Sequence, residues 1–167
     1  MQLSVIIPVF NEELTIKKII KSVESSPVDL KEIIIIDDCS TDSTRKILGE
    51  INSSFVRIFY NKSNKGKGYS LKRGFSEAKG EICIVQDADL EYDPQEFPKL
   101  IQPILENKAD VVYGSRFQGS GPHRVVYFWH RVGNGFLTLM NNFFTDLNLS
   151  DMETCYKAFK RNIIQSI

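Results

Sequence analysis

Disulfides are the first device this chain cannot use. Its three cysteines, Cys39, Cys83 and Cys155, are odd in number, far apart and without C-x-x-C spacing, which points to a reducing, cytoplasmic setting. Net charge is absent as well. With 21 basic residues against 21 acidic ones, no global electrostatic pull toward nucleic acid or a membrane surface follows. No apolar run reaches the ~18 residues of a membrane span. Met1-Gln2 leads straight into a short apolar stretch without a basic n-region, so no signal peptide is expected. Two nucleotide-binding signatures are missing too. The first apolar stretch is followed by Val9-Phe10-Asn11-Glu12 rather than G-x-G-x-x-G, which argues against a dinucleotide site. Gly66-Lys67-Gly68-Tyr69-Ser70 lacks the G-x-x-x-x-G-K-[ST] spacing of a phosphate loop. Without repeats or low-complexity segments, the 167 residues read as a single domain with enough apolar content for a sizeable core.

What is present is a regular alternation of short apolar runs and helical periods. Residues 3–9 form a continuous apolar strand, and residues 13–25 place Leu14, Ile16, Ile19, Ile20 and Val23 at helical spacing. A second buried strand over 32–36 ends at Asp37-Asp38. Ser40 and Thr41 offer N-cap chemistry, with Asp42 in the first turn, for a helix running to about Ile51. Residues 55–60 are a third strand, 61–67 a polar loop and 69–78 a helix, with Gly80 expected as its C-cap. After the strand at 82–85, Asp93-Pro94 starts a helix to 106, and the strand at 109–113 ends in Gly114-Ser115-Arg116. This rhythm predicts an α/β fold with a mostly parallel sheet and right-handed crossovers. Residues 118–123, rich in Gly, Ser and Pro, are expected to form a mobile loop beside the site. Residues 125–149 are aromatic and weakly periodic, helical in character but unlike a simple core helix. The last residues, 160–167, open an apolar helix.

The chemistry concentrates where the strand Ile82-Cys83-Ile84-Val85 runs into Gln86-Asp87-Ala88-Asp89-Leu90-Glu91. In open α/β sheets, ligands bind outside the carboxyl ends of such strands. Asp87 and Asp89 point the same way in an extended segment, and Glu91 continues the row if the extension persists. Oxygen ligands of this kind suit Mg²⁺ or Mn²⁺, usually held by one or two carboxylates and completed by substrate phosphates and water. The alternative for Asp-x-Asp is a helix cap. Other strand ends carry polar groups to the same edge. Pro8 fixes the backbone there, Phe10 offers a face for a base, and a carboxylate at Asp37 or Asp38 can accept hydrogen bonds from a base or ribose, or simply cap a turn. A hard cation has no need of histidine, so His123 and His130 read as structural or exposed, and Cys155 as a packing residue.

Taken in order, Val5-Ile6-Ile7-Pro8-Val9-Phe10-Asn11-Glu12, Ile36-Asp37-Asp38-Cys39-Ser40-Thr41-Asp42, Asn64-Lys65-Gly66-Lys67-Gly68, Asp87-Ala88-Asp89-Leu90-Glu91, Gly114-Ser115-Arg116 and Asp151-Met152-Glu153-Thr154-Cys155-Tyr156-Lys157 span almost the whole chain. Together they resemble the family 2 glycosyltransferases of GT-A type, and are similar in particular to the dolichol-phosphate or polyprenyl-phosphate hexose synthases. The resemblance implies an α/β, Rossmann-like GT-A fold, a mostly parallel sheet flanked by helices. It implies donor contacts at Pro8, Phe10, Asn11, Glu12, Asp37, Asp38, Lys67, Asp87, Ala88 and Asp89. Phe10 stands where a tyrosine is common. Asp89 would be the main metal ligand, with Asp87 and Glu91 beside it. Arg116 resembles the arginine near the acceptor phosphate; Lys157 adds a like charge, and Asp151 joins them as a catalytic candidate.

The implied reaction is transfer of a hexose from a GDP- or UDP-sugar to a polyprenyl phosphate with inversion, dependent on Mg²⁺ or Mn²⁺. Two rivals use the same residues. One is a transferase acting on a sugar hydroxyl, which needs a base such as Asp151 or Glu153; the other is an inactive donor-binding module. A polyprenyl acceptor keeps its tail in lipid, so the enzyme is expected at the cytoplasmic face of a membrane. Tyr127, Trp129 and several Phe beside Arg124, His130 and Arg131 supply an interfacial segment. Nucleic acid is not an expected partner. The related synthases continue past the last motif, so residues 1–167 are expected to be a single catalytic domain truncated at its C-terminus.

Overall fold

A computed structural model of the protein describes residues 2–116 and 127–167. The segment 118–123, with His123 and Arg124, falls outside them. The chain alternates β1 (Leu3–Val9), α1 (Ile16–Glu24), β2 (Leu30–Asp37), α2 (Thr44–Gly49), β3 (Val56–Tyr60), α3 (Lys67–Glu77) and β4 (Ile82–Val85). It continues with a 3-10 turn (Pro94–Glu96), α4 (Phe97–Leu105), β5 (Val111–Tyr113), α5 (Phe128–Thr145), β6 (Lys157–Lys160) and α6 (Arg161–Ile164). The six strands form one sheet in the order β3-β2-β1-β4-β6-β5. All neighbours are parallel except β6, which runs against both β4 and β5. The expected mostly parallel α/β sheet is therefore what forms.

Why β1 and β2 read as unbroken apolar runs is visible in their packing. Val5, Ile7 and Val9 with Ile33 and Ile35 face one side, among Ile16, Ile19, Ile20 and Val23 of α1 and Phe97, Leu100, Ile101 and Ile104 of α4. Ile6, Ile34 and Ile36 face the other side with Cys83, against Leu71 and Phe75 of α3. Both faces are covered, so the two-residue period puts apolar side chains on each. Every such Ile or Val contributes roughly 1.5–3 kcal/mol by leaving water.

The reversal of β6 is what assembles the site. Its register pairs Ile84 with Ala158 and Tyr113 with Lys157. The amino end of β6 therefore lies at the carboxyl edge of β4 and β5, bringing residues 151–157 to the edge where Phe10, Asp38 and Asp87 lie just beyond the ends of β1, β2 and β4.

Two local expectations are corrected. α2 begins at Thr44, not at Ser40 or Thr41, because Asn11 N–H donates to Ser40 Oγ at 3.0 Å and Thr41 N–H donates to Asn11 Oδ1 at 2.8 Å. Those residues lace two loops together, and Asp42 Oδ1 instead accepts the Thr44 N–H at 2.9 Å. Gly80 does not cap α3, whose C-cap is Ala78 in extended conformation. Gly80 lies against β1, where a Cβ would stand 2.7 Å from Ser4 N and 2.8 Å from Gln2 O. Its N–H donates to Ser4 Oγ at 2.8 Å, and Ser4 donates in turn to the buried Glu32. The apolar tail is shorter than expected as well, since Lys160 closes β6 and only Arg161–Ile164 is helical.

Overpacking against backbone cannot be relieved by a rotamer change. Gly80→Ala should therefore lower the unfolding free energy by about 1–3 kcal/mol. Gly133→Ala, on a helix face with nothing within 4 Å of the new Cβ, should be neutral or stabilising by up to about 1 kcal/mol. Urea unfolding midpoints at neutral pH compare the two; equal midpoints would contradict the packing argument.

Candidate active site

A cleft of about 260 Å³ opens at the carboxyl edge of β1, β2 and β4. It gathers Pro8, Phe10, Glu12, Asp38, Lys67, Asp87, Ala88 and Asp89 on one surface, together with Ser70, a residue not anticipated. Phe10 is 45% exposed, an aromatic face turned to solvent at a strand end. Glu12 is held by its neighbours, its N–H donating to Thr44 Oγ1 at 2.8 Å and its carboxylate accepting the Thr15 hydroxyl.

Adjacent acids on a strand end point to opposite sides, and the structure separates Asp37 from Asp38 accordingly. Asp37 is fully buried, 2.6 Å from Arg45 Nε, and is not among the residues lining the cleft. Asp38 lines the cleft and accepts from Asn61 Nδ2 at 2.7 Å, Gly66 N–H at 2.7 Å and Lys65 N–H at 3.1 Å. Burial alone would raise its pKa, but these hydrogen bonds outweigh burial and hold the carboxyl below its usual range. Asn11 has φ at 57° and its side-chain Oδ1 accepts the Thr41 N–H, so it ties two loops together and is not among the residues lining the cleft.

On the acidic turn, Lys67 Nζ reaches Asp87 at 2.6 Å. Burial would lower the lysine's pKa, but the Asp87 carboxylate reverses the direction and raises it. The expected row of three acids does not persist. Leu90 takes a left-handed φ of 63°, and Glu91 N–H folds back onto Asp89 Oδ1 at 2.9 Å. That turn removes Glu91 from the cleft and places it where its charge acts on Arg116. Among the described residues no cluster of three or more His, Cys, Asp or Glu could hold a metal ion. Asp87 and Asp89 remain as candidate oxygen ligands in the cleft, a number that fits a cation completed by substrate phosphates. Asp93 behaves as its sequence suggests, its carboxylate accepting the Gln95 N–H at 3.0 Å with Pro94 at the first position of the turn.

Across the same edge stands a second cluster. Arg116 binds Asp151 through Nε at 2.8 Å and Nη2 at 2.9 Å, and its N–H reaches the same carboxylate at 3.1 Å. Asn134 Nδ2 of α5 adds a fourth donor at 2.9 Å. Burial would raise the pKa of Asp151, yet the Arg116 hydrogen bonds and charge, with Asn134, hold it below the usual carboxylate range. Lys157 donates to the Thr154 carbonyl and lies over the Tyr113 ring at 5.1 Å, and burial lowers its pKa.

Some residues of the site carried no motif. Gln86 is fully buried, and the only hint in sequence is an amide ending an otherwise apolar strand. Asn61, which anchors Asp38, likewise follows directly on β3.

Beside this cluster α5 is turned inside out. Its buried residues are Asn134 and Thr138, four apart on one face, while Trp129, Phe143 and Phe144 are each at least 75% exposed. Among the described residues no helix is long and apolar enough to cross a membrane.

A mostly parallel sheet with carboxylates, a lysine and an aromatic face around a cleft at its strand ends is the architecture of a GT-A glycosyltransferase domain. The family model described as Glycosyl transferase family 2 matches residues 4–167, and the chain belongs to that family. A dolichol-phosphate mannosyltransferase of Pyrococcus furiosus is 36% identical over 123 residues, 72% of this chain and 35% of that protein. An undecaprenyl-phosphate 4-deoxy-4-formamido-L-arabinose transferase of Pseudomonas fluorescens is 29% identical over 98% of this chain and 48% of its own length. The chain thus spans between a third and a half of these curated relatives. The solved structure of Mycobacterium tuberculosis glucosyl-3-phosphoglycerate synthase with Mn²⁺ and uridine-diphosphate-glucose matches with a TM-score of 0.74. That match covers 99% of this chain and 58% of that one at 23% identity, a likeness of fold.

The depressed pKa of Asp151 sets a pH dependence of stability. Its contribution is complete above the unfolded value of about 3.9 and is lost as pH falls through the lower folded value. Asp151→Asn should cost roughly 2–3 kcal/mol at pH 7, below the figure for fully buried pairs because Arg116 is partly exposed. The gap to the parent should narrow below about pH 4. Urea midpoints between pH 7 and pH 2.5 measure it, and a gap that stays constant would contradict the assignment.

Proposed function

We propose that this domain moves a hexose from a GDP- or UDP-sugar to a polyprenyl phosphate with inversion at the anomeric carbon. The observation that carries the reading is the state of Asp151. Its carboxylate receives four hydrogen bonds and is held ionised beside a guanidinium, which makes it a poor base for a sugar hydroxyl. A phosphate monoester is anionic at neutral pH and needs no base. The names of the relatives, a dolichol-phosphate and an undecaprenyl-phosphate transferase, support the same acceptor class.

In this reading Phe10 stacks on the base and Asp38 accepts from the nucleoside. Lys67 leaves Asp87 for the donor diphosphate, an exchange made easy by its half-exposed position. Asp89, with Asp87, would hold Mg²⁺ or Mn²⁺, which when bound would supply positive charge against the leaving diphosphate. Arg116 and Lys157 orient the incoming phosphate by charge-assisted hydrogen bonds. An acceptor oxygen forms the new bond to the anomeric carbon as the bond to the diphosphate breaks on the opposite face, which inverts the centre and releases the nucleoside diphosphate. The outward apolar face of α5, with His130 and Arg131 at its start, lies at the cytoplasmic membrane surface where the lipid acceptor resides.

Incubation of radiolabelled GDP- and UDP-hexoses with Mn²⁺ and polyprenyl phosphate in vesicles tests the reaction. Label should enter the organic phase; label appearing only on sugar hydroxyls would overturn the acceptor. Asp89→Ala should abolish Mn²⁺-dependent nucleoside diphosphate binding in calorimetry, and unchanged affinity would remove it from the metal site. The double variant Arg116→Gln, Asp151→Asn leaves no unpaired buried carboxylate. It should lower kcat/KM for the acceptor by roughly 10²–10³ with donor affinity little changed. If Glu153→Gln is instead the inactive variant, a hydroxyl acceptor replaces the phosphate. Vesicle flotation should be lost when Phe136, Phe143 and Phe144 become Ser; flotation indifferent to that change would count against membrane contact.

A further inference from the structure

Between the acidic turn and the segment that carries Asp151 runs a buried polar seam. Gln86, fully buried at the end of β4, donates from Nε2 to its neighbour's carbonyl, Asp87 O, at 3.0 Å and to Tyr92 O at 3.4 Å. One amide thus closes residues 87–92 into a ring. Its Oε1 accepts the hydroxyl of Tyr156, itself buried, at 3.0 Å. A second tie runs the other way, from Cys155 N–H to Tyr92 Oη at 3.2 Å, and the two tyrosine rings pack 4.7 Å apart. Tyr156 O then accepts the Gly114 N–H at 2.8 Å, two residues before Arg116. In a buried network of this kind each lost partner leaves a polar atom without water, which favours the arrangement that keeps these bonds.

We infer that Gln86, Tyr92 and Tyr156 are positioning residues that lock the Asp87–Asp89 turn to the Arg116–Asp151 pair. The donor-side carboxylates and the acceptor-side cations then keep one relative geometry. The inference rests on the transferase reading for its effect on activity, but the mechanical coupling stands on the hydrogen bonds alone.

Tyr156→Phe removes one hydroxyl and keeps the ring against Tyr92 and Phe97. Hydrogen exchange of the 87–93 peptide should quicken about tenfold in this variant, that of 151–156 should quicken with it, and β1 should stay unchanged. Mn²⁺-dependent affinity for UDP or GDP should weaken about tenfold, the lower end of what outer-shell partners of metal ligands contribute. In turnover, kcat should fall by a similar factor while KM for polyprenyl phosphate moves less than twofold. Tyr92→Phe, which cuts only the second tie, should change exchange in the same two segments by a smaller factor. Unchanged exchange in both segments, or wild-type nucleotide affinity in Tyr156→Phe, overturns the inference. A parent chain that binds neither nucleotide in Mn²⁺ overturns the transferase reading instead, and the exchange measurement then decides the coupling by itself.

Discussion

β6 runs against a sheet that is otherwise parallel, and the geometry of the site follows from that reversal. A strand between β4 and β5 must satisfy its N–H and C=O groups on both sides, and the antiparallel register with Ile84 and Tyr113 does so. A parallel strand in that position would have delivered its carboxyl end to the edge where Asp87 lies. The reversed strand delivers its amino end, and with it Lys157 and the 151–156 segment. Residues separated by some sixty positions in sequence thereby share one edge, without any element having to leave the sheet.

Two ion pairs at that edge have opposite characters, and burial explains the difference. Lys67 and Asp87 meet where the lysine is half in water, a setting in which such pairs contribute only about 0–1 kcal/mol and exchange partners at little cost. Arg116 and Asp151 meet over a carboxylate with no exposure, held from three directions by side chain, backbone and the amide of α5. Separating them would strand a charge away from water, so this pair is a fixed part of the framework. The edge thus combines a half-exposed, loosely paired lysine with an arginine whose carboxylate partner is fully buried.

The same framework accounts for the orientation of α5. Asp151 and Met152 present polar groups to the helix, and Asn134 and Thr138 turn inward to meet them, Thr138 Oγ1 accepting the Met152 N–H at 3.2 Å. Once the polar face is committed inward, the aromatic residues have only the outer surface left. Trp129, Phe143 and Phe144 therefore stand exposed, where apolar side chains gathered on one face are uncommon on a free surface.

Much of the scaffold could be read from the chain itself, because β1, β2, β4 and α1 are each specified by a local period and buried on the faces that the period names. Pro8, Phe10, Asp38, Asp87 and Asp89 were legible for a related reason: each sits at or just beyond a strand end, and strand ends of a parallel sheet converge on one edge. Local pattern could not choose between Asp37 and Asp38, since the choice depends on which face Arg45 occupies. Nor could it show that Leu90 would take a left-handed turn and carry Glu91 away from its neighbours. Gln86 gave no signal of its role, because the partners that make it buried lie about seventy residues away on a strand whose direction is a property of the assembled sheet. Short-range periodicity determined which segments would be strands and helices; the direction of β6, and every polar contact that depends on it, was decided only in the assembled sheet, because a strand's two-residue period reads the same in either direction.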